Sequence, residues 1–205
     1  LLGSAKEYMT NIYRGFDDAG YYVNHYLLDA QTMGVPQRRQ RVFFVCLRKD
    51  LVGFVPCEQT LFDAVPYLDL NFNEPPILFG EVADYNGDEI KSKRMREVWE
   101  ARQPSDDGFG DITKRINGKE SMFNMRFGKP GEVSHTLVTD KSYMVHYERP
   151  CYYSDTEVVK VQSFPVDYDF AGQRPHYVCG MSVPPVMMAQ VASRIYDQWL
   201  SKIRK

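Results

Sequence analysis

Polar and basic side chains at regular spacing stand directly before a strongly apolar segment. Gln37, Arg39 and Arg41 alternate along the chain, and residues 42–47 follow as a nearly continuous apolar run. In an extended segment, alternate side chains point to one face, so these three groups are expected to face the same way. A guanidinium stays charged at physiological pH and presents a fixed fork of donors. The pattern suits stabilisation of developing negative charge, and a solvated basic turn is the alternative.

Metal and disulfide chemistry are not indicated. The four cysteines contain no C-x-x-C pair, and the four histidines show no ligand spacing, so we predict no metal and assign the histidines no function. Cys46 stands in the apolar run, as a buried free thiol would. No apolar stretch approaches the roughly 20 residues that span a bilayer. A reduced, cytoplasmic protein without a membrane partner is expected.

Local sequence patterns predict the helix and strands that flank this basic segment. Ser4 and Glu7 form a capping-box pattern for a helix that ends at Gly20, and residues 21–28 read as a strand. Residues 42–47 resemble a strand buried on both faces. The first part of the chain is therefore predicted as helix, strand, basic loop and strand.

The middle of the chain has a different composition. From about residue 48 to residue 148 turns are frequent and strands short, which predicts a loop-rich β region. Residues 91–129 hold ten Lys or Arg against six Asp or Glu, inside a chain whose net charge is -2. Such a local surplus suits phosphate contacts, and a solvated face is the alternative. The candidates are Arg94, Arg96, Arg115 and Arg126.

Helical patterns return near the end. Ser154 and Glu157 again have capping-box spacing, for a short helix that runs to residue 161 or 162. Residues 180–184 are predicted to turn into a final helix with Pro185 in its first turn. Its apolar stripe is Val191, Ile195 and Trp199.

Three blocks resemble, in order, motifs VIII, IX and X of the cytosine-5 DNA methyltransferases. They are residues 34–45 (GVPQRRQRVFFV), 157–168 (EVVKVQSFPVDY) and 179–185 (CGMSVPP). The family places its target-recognition region between the first two. Two shorter matches agree, residues 60–64 and the Thr136–Leu137 pair.

The resemblance implies roles for individual residues. Members of the family flip a cytosine out of duplex DNA and methylate it from S-adenosylmethionine. Arg41 maps to the arginine that contacts the flipped cytosine, Arg39 to its companion near the active site, and Gln37 to a mainly architectural glutamine. Arg38 is expected to be solvated or to contact a phosphate. Thr136 is expected to contact DNA.

Motifs IX and X carry the remaining assignments. Glu157 and Gln162 are expected to be structural, although Thr156 and Lys160 stand where arginines are usual. Motif X is implied to approach the cofactor, S-adenosylmethionine, through Gly180, Ser182 and Val183. Met181 replaces the usual Asn, which removes a polar partner.

Three family motifs are not found in these residues: the glycine-rich turn for the cofactor, the Pro-Cys nucleophile and the Glu-Asn-Val motif. Pro56–Cys57 and Pro150–Cys151 do not fit the nucleophile motif, because they follow motif VIII. The partners implied are duplex DNA and an N-terminal catalytic half, in the same chain or a separate subunit, of bacterial or phage origin.

The expected architecture is α/β, the C-terminal part of a Rossmann-like methyltransferase domain with a mixed sheet, plus a small, mainly β, loop-rich recognition domain. Residues 1–65 would belong to the catalytic domain, 66–148 to the recognition region, and 149–205 to motifs IX and X, with the last helix packing back on the catalytic domain. A DNA-binding-only module and an inactive remnant are the alternative functions.

Overall fold

The computed structural model describes residues 6–55, 66–119 and 125–203. These residues form two compact units. Of the described residues, the first unit holds 6–29, 40–55, 66–72 and 188–203, and the second holds 30–39, 73–119 and 125–187. Ser4, Cys57 and residues 60–64, which entered the sequence predictions, lie outside the described residues.

The first unit is built on one helix and one antiparallel pair of strands. Helix α1 spans Lys6–Asp18, strand β1 spans Tyr21–Asp29 and strand β2 spans Gln40–Arg48. Gly20 follows the helix with φ 83°, a left-handed conformation that glycine adopts without steric cost. The strands pair from Tyr21 with Arg48 to Asp29 with Gln40. The predicted helix end and both strands are confirmed.

Strand β2 is less buried than its apolar sequence predicted. Val45 and Leu47 are buried, whereas the side chains from Arg41 to Phe44 are only half-buried. The sheet that contains β2 has two strands among the described residues. Within that part of the chain, each strand therefore has a hydrogen-bonded neighbour on one side only. Because residues 42–44 remain half-buried, the prediction of burial on both faces is wrong for the described residues.

The described part of the second unit contains seven α-helices and strands, one of them only in part. Its helices α2, α3, α4 and α5 span Lys93–Glu100, Phe109–Asn117, Asp155–Val161 and Pro175–Met181. Its strands β3 and β4 span Arg126–Gly128 and Met144–His146 and pair in parallel. The last helix, α6 (Pro185–Gln198), begins in this unit and continues into the first, where Val191 is buried.

Two apolar clusters hold the second unit together. One gathers α4 and α5 around Phe79 and Tyr153, whose rings stack at 4.5 Å between centroids. The other gathers α2, α3, β3 and β4: Ile90, Trp99, Phe109, Ile112, Met125, Phe127 and Val145. Burial of aromatic rings of this size is a large favourable term for a small unit.

The middle region is not mainly β. Between residues 66 and 148 the described chain has two helices of eight and nine residues, against two strands of three residues each. Phe109, Ile112 and Thr113 are buried at helical spacing, and Gly118 ends α3 with φ 70°. This glycine, inside the region predicted to be rich in turns and β structure, therefore caps a helix.

The C-terminal segment agrees with the prediction in part. The capping box of Ser154 and Glu157 is present at the start of α4, and α6 begins at Pro185. Helix α5, with Pro175 in its first turn, was not predicted. Residues 149–187 cluster with residues 73–148, whereas the sequence predicted a domain boundary at residue 148. Among the described helices, none is both long and apolar enough to cross a membrane.

Candidate functional site

A buried arginine lies at the centre of the second unit's polar cluster. The side chain of Arg39 is 1% exposed. Its guanidinium donates to the carbonyl oxygens of Leu137 at 2.9 Å, Gly180 at 2.8 Å and Ser182 at 2.9 Å. It also donates to the side-chain oxygen of Gln37 at 3.3 Å. A fork of fixed donors can satisfy several carbonyls at once, which an ammonium group does less well.

Two glutamines extend this cluster. Gln37 donates to the side-chain oxygen of Gln162 at 2.6 Å and accepts from the Leu137 amide at 3.0 Å. Gln162 donates in turn to the carbonyl and hydroxyl oxygens of Ser182 at 3.1 and 2.9 Å. Both glutamines are fully buried. Buried amides with this many partners specify one arrangement of the segments they join, which supports an architectural role.

Residues 134–137 run beside residues 37–39. Gln37 and Ser134 form a parallel bridge, and the Arg38 amide donates to the Ser134 carbonyl at 2.9 Å. The Thr136 hydroxyl donates to the Arg38 carbonyl at 2.5 Å. The side chain of Arg38 pairs with Glu132 at 2.7 Å and stays partly exposed. Backbone and side-chain bonds therefore attach this stretch to the basic segment.

The two arginines predicted to be catalytic lie in different settings. Arg39 directs its guanidinium at protein carbonyls inside the second unit, so we assign it to holding these segments together rather than to contacting a base. Arg41 belongs to the first unit, opposite Leu28 in the sheet. Its side chain is half-buried and donates to the Gln40 carbonyl at 2.7 Å. Burial lowers the pKa of Arg41, but a guanidinium remains charged.

A buried carboxylate organises the start of α4. Glu157 accepts from the amides of Asp84, Tyr85 and Ser154 at 2.7, 3.0 and 2.7 Å. It also pairs with the imidazole of His146 at 3.0 Å, and both side chains are fully buried. Burial raises the pKa of Glu157, but the bonds from His146 and from the amides outweigh it and leave the pKa below its usual value.

The residues predicted to bind the cofactor are mostly engaged with protein. The Ser182 carbonyl accepts from Arg39 and Gln162, and its hydroxyl also donates to the Cys179 carbonyl at 3.1 Å. A Cβ at Gly180 would overlap the backbone of residues 138 and 139, so close packing explains this glycine. Val183 is 39% exposed and Met181 67%. By themselves, the described residues of this loop do not form a site for S-adenosylmethionine.

The predicted DNA-contacting arginines divide into two groups. Arg96 pairs with Glu89 at 2.6 Å and Arg115 pairs with Asp106 at 2.5 Å. Arg94, at the start of α2, is exposed, and its guanidinium makes no hydrogen bond or ion pair with another described residue. The side chain of Arg126, in β3, is half-buried, and its guanidinium has no such partner either among residues of the described ranges. These two guanidinium groups are the more available to a ligand.

The described cysteines are poorly suited to nucleophilic chemistry. Burial raises the pKa of Cys151 to about 11 and that of Cys179 to about 12, and burial also raises the pKa of Cys46. A thiol attacks as its thiolate, which these environments disfavour. Within the described ranges, no three His, Cys, Asp or Glu side chains are grouped as a metal site.

The sequence analysis assigned no function to the histidines, and the structure shows where two of them lie. His146 contacts Glu157, and its Nδ1 has no hydrogen-bond partner among the described residues. His135 lies half-buried in the stretch that runs beside residues 37–39. The only local signal was the position of His135 directly before the Thr136–Leu137 pair. Neither histidine belongs to a recognisable ligand or catalytic spacing.

Comparison with known sequences gives one family over nearly the whole chain. The family model described as "C-5 cytosine-specific DNA methylase" matches residues 1–197. Type II methyltransferase M.NgoFVII of Neisseria gonorrhoeae is 26% identical over 95% of this chain and 55% of its own length. Type II methyltransferase M1.HphI of Haemophilus parahaemolyticus is 25% identical over 88% of this chain and 49% of its own length. The chain therefore spans about half the length of these relatives.

Solved structures with the same fold are also methyltransferases. A putative DNA modification methyltransferase encoded within an E. coli prophage aligns with TM-score 0.60 and 15% identity, over 94% of this chain and 66% of that one. The Dnmt2 methyltransferase of S. pombe aligns with TM-score 0.54 and 11% identity, over 92% and 61%. At these identities the likeness establishes the fold alone.

Proposed function

Because the chain belongs to the C-5 cytosine-specific DNA methylase family, we propose that it is the DNA-recognition and cytosine-contacting part of a DNA cytosine-5 methyltransferase. The family transfers a methyl group from S-adenosylmethionine to cytosine. The proposed substrate is duplex DNA, and residues 66–148 are the proposed recognition region. The proposal takes these 205 residues as the C-terminal part of such an enzyme.

The observation that carries this proposal is the convergence of all three motif blocks on the bonded pair of Gln37 and Arg39. Its guanidinium joins residues 37–39 to a carbonyl 98 residues away at the end of the recognition region and to carbonyls 141 and 143 residues away in motif X. Gln162 of motif IX contacts both Gln37 and Ser182. A network of this kind holds residues 37–39 of motif VIII together with motif IX, motif X and residues 134–137 inside the second unit.

Each part of the chain has a task under this proposal. Arg41 contacts the flipped cytosine and stabilises charge that develops on the ring during methyl transfer. Arg39, Gln37 and Gln162 hold the segments, and Glu157 fixes the start of α4 beneath the recognition region. Arg94, Arg126 and Thr136 contact the DNA, where the two cations set register on the phosphates.

The cofactor supplies the methyl group when it is bound. In this chain the exposed side chain of Val183 is the contact that we propose for it, while Gly180 and Ser182 shape the loop. No proton or methyl movement is assigned to these residues, because the polar atoms of Ser182 already have protein partners.

The nucleophile is proposed to come from a polypeptide outside these 205 residues. That half could be part of the same chain or a separate subunit. A labelled methyl-transfer assay on duplex DNA tests this, with the chain alone and then with a folded polypeptide that carries the nucleophile half. Transfer only on mixing supports the proposal. Methyl transfer by the chain alone contradicts the proposal that the nucleophile comes from another polypeptide. If no methyl transfer occurs in either case, the result favours a DNA-binding-only module.

The role of Arg41 is tested in the mixed enzyme. Removing one donor to a developing anion typically lowers turnover by about 10²- to 10³-fold, so we expect Arg41→Ala to do the same with little change in duplex binding. Arg14→Ala is the matched control, since Arg14 is an exposed arginine in the same unit. Equal turnover of the two variants would remove Arg41 from the mechanism.

A further inference from the structure

His135 lies in a stretch whose other side chains are already engaged. Ser134 and Leu137 are buried, and the Thr136 hydroxyl donates to the Arg38 carbonyl. The imidazole of His135 is half-buried and makes no hydrogen bond or ion pair with any residue of the described ranges. We infer that His135 is a specificity-determining residue that reads the edge of one base in the recognised duplex. The inference rests on the proposed function.

The stretch that carries His135 is held in place by four hydrogen bonds to residues 37–39. The Arg38 amide donates to the Ser134 carbonyl within the Gln37–Ser134 bridge, and the Thr136 hydroxyl donates to the Arg38 carbonyl. The Leu137 amide donates to Gln37, and Arg39 donates to the Leu137 carbonyl. A side chain on a backbone fixed this closely can discriminate by position, because little conformational freedom is lost when it binds. The segment it is fixed to leads, within two residues, to Arg41.

The surroundings of the imidazole, burial first among them, favour its neutral form. Burial lowers the pKa of His135, and the positive charges of Arg38 and Arg126 lower it further, against the opposing effects of Asp107 and Glu132. Arg38 is itself paired with Glu132, and Glu132 also with Lys129 at 3.2 Å. At neutral pH the ring therefore presents one N–H donor and one lone-pair acceptor.

A neutral donor–acceptor pair fits a base edge better than a phosphate. Phosphate oxygens only accept, and cations bind them best. In the major groove, guanine N7 and O6 accept, while the exocyclic amines of adenine and cytosine donate, so one imidazole can distinguish bases by which nitrogen faces them. The cation Arg126, whose charge acts on the imidazole, is the better candidate for the phosphate contact that sets register.

The experiment uses the full 205-residue chain and a pool of duplexes with about twelve randomised base pairs between fixed arms. Bound and free fractions are sequenced, and the preference at each position is expressed as a ratio between bases. We expect the wild-type chain to show preferences, and His135→Ala to reduce the ratio at one position by about 5- to 100-fold, the size of one good base contact. His135→Gln, which keeps a donor and an acceptor, is expected to retain part of that preference or to change the preferred base.

Control measurements distinguish recognition of a base from binding to DNA of any sequence. His135→Ala is expected to leave the salt dependence of binding to the whole pool unchanged, whereas Arg94→Ala reduces its slope by about one. The preference should persist from pH 7 to pH 8, since burial lowers the pKa of His135 and the neutral imidazole is the form that reads the base. Circular dichroism checks that each variant is folded, and the Gln variant provides the test if the Ala variant is not.

Three results overturn the inference in distinguishable ways. If His135→Ala keeps the wild-type base preference at every position, His135 takes no part in recognising the DNA sequence. A wild-type chain that binds the pool with no preference also refutes it, but leaves DNA binding intact. A wild-type chain that binds no duplex at all refutes the proposed function itself.

Discussion

Replacing Arg39 with alanine tests whether this side chain holds the second unit together. The substitution leaves the carbonyls of Leu137 and Gly180 without their guanidinium donor, whereas the Ser182 carbonyl keeps Gln162. A buried polar group that loses its partner costs about 1 to 3 kcal/mol. Two such groups predict a loss of about 2 to 6 kcal/mol in the free energy of unfolding, a large part of the roughly 5 to 15 kcal/mol of an ordinary domain.

Arg38→Ala is the matched control for this prediction. Arg38 is the adjacent arginine, and its ion pair with Glu132 is about 40% exposed on both sides. Its Nε also donates to one carbonyl, that of Val133 at 3.1 Å, against the three carbonyls that Arg39 bonds. Exposed pairs contribute about 0 to 1 kcal/mol, because water screens them and their side chains lose conformational freedom. Arg39→Lys provides a second comparison, since a compact ammonium cannot reach several carbonyls that a guanidinium bridges. We expect it to resemble the alanine variant more than the wild type.

Urea unfolding followed by tryptophan fluorescence measures these differences. The chain has two tryptophans, of which Trp99 is buried in the second unit and Trp199 lies in the first. In a Trp199→Phe background the signal therefore reports the second unit. The dependence of the unfolding free energy on urea concentration must be the same in the variants before their unfolding midpoints are compared. If Arg39→Ala falls within about 1 kcal/mol of Arg38→Ala, the reasoning on buried carbonyls is refuted.

Two further substitutions probe the same unit. Glu157→Gln removes a carboxylate that accepts from three amides and His146, and about 2 to 4 kcal/mol should be lost at pH 7. Because the folded pKa of Glu157 is lowered, its stabilisation is present above the unfolded pKa of about 4.3 and is lost as pH falls through the folded value. A stability gap between wild type and variant that stays constant down to about pH 3 would contradict this. Gly180→Ala places a Cβ against the backbone of Val138 and should cost about 1 to 3 kcal/mol, whereas Gly110→Ala meets nothing within 4 Å and should gain about 0.5 to 1. Equal melting temperatures for the two alanine variants would show that the overlap at Gly180 has no effect.

The fold was predictable where the signal is local. Helix α1 with Gly20 at its end, strands β1 and β2, and the capping box at Ser154 all follow from spacing within a few residues. Helices α2 and α3 were not predicted, because they are short and sit between turn residues. Their apolar positions, such as Phe109 and Ile112, are too few to establish a period without the cluster that they pack into.

Residue types in the sequence identified the segment that carries the candidate site, but they did not predict the hydrogen-bond partners of its side chains. The pattern of Gln37, Arg39 and Arg41 marked the segment, yet the acceptors of Arg39 are mainly backbone carbonyls. Every residue has such a carbonyl, so residue type carries no signal for this role. The same holds for Glu157, whose partners include three amides. Long-range backbone partners of this kind are visible only in the folded chain.

The spread of the Arg39 contacts along the sequence has a consequence for how the protein is made. The second unit takes in residues 30–39 early in the chain and residues up to 187, and the last acceptor of Arg39 is Ser182. A ribosome that adds about 5 to 20 residues each second needs about 7 to 30 seconds to travel from one to the other. During that interval the guanidinium has no carbonyls from motif X to bind and remains hydrated. We therefore expect this unit to complete its folding only when translation has passed residue 182, and premature stops before that codon to yield chains that proteases degrade.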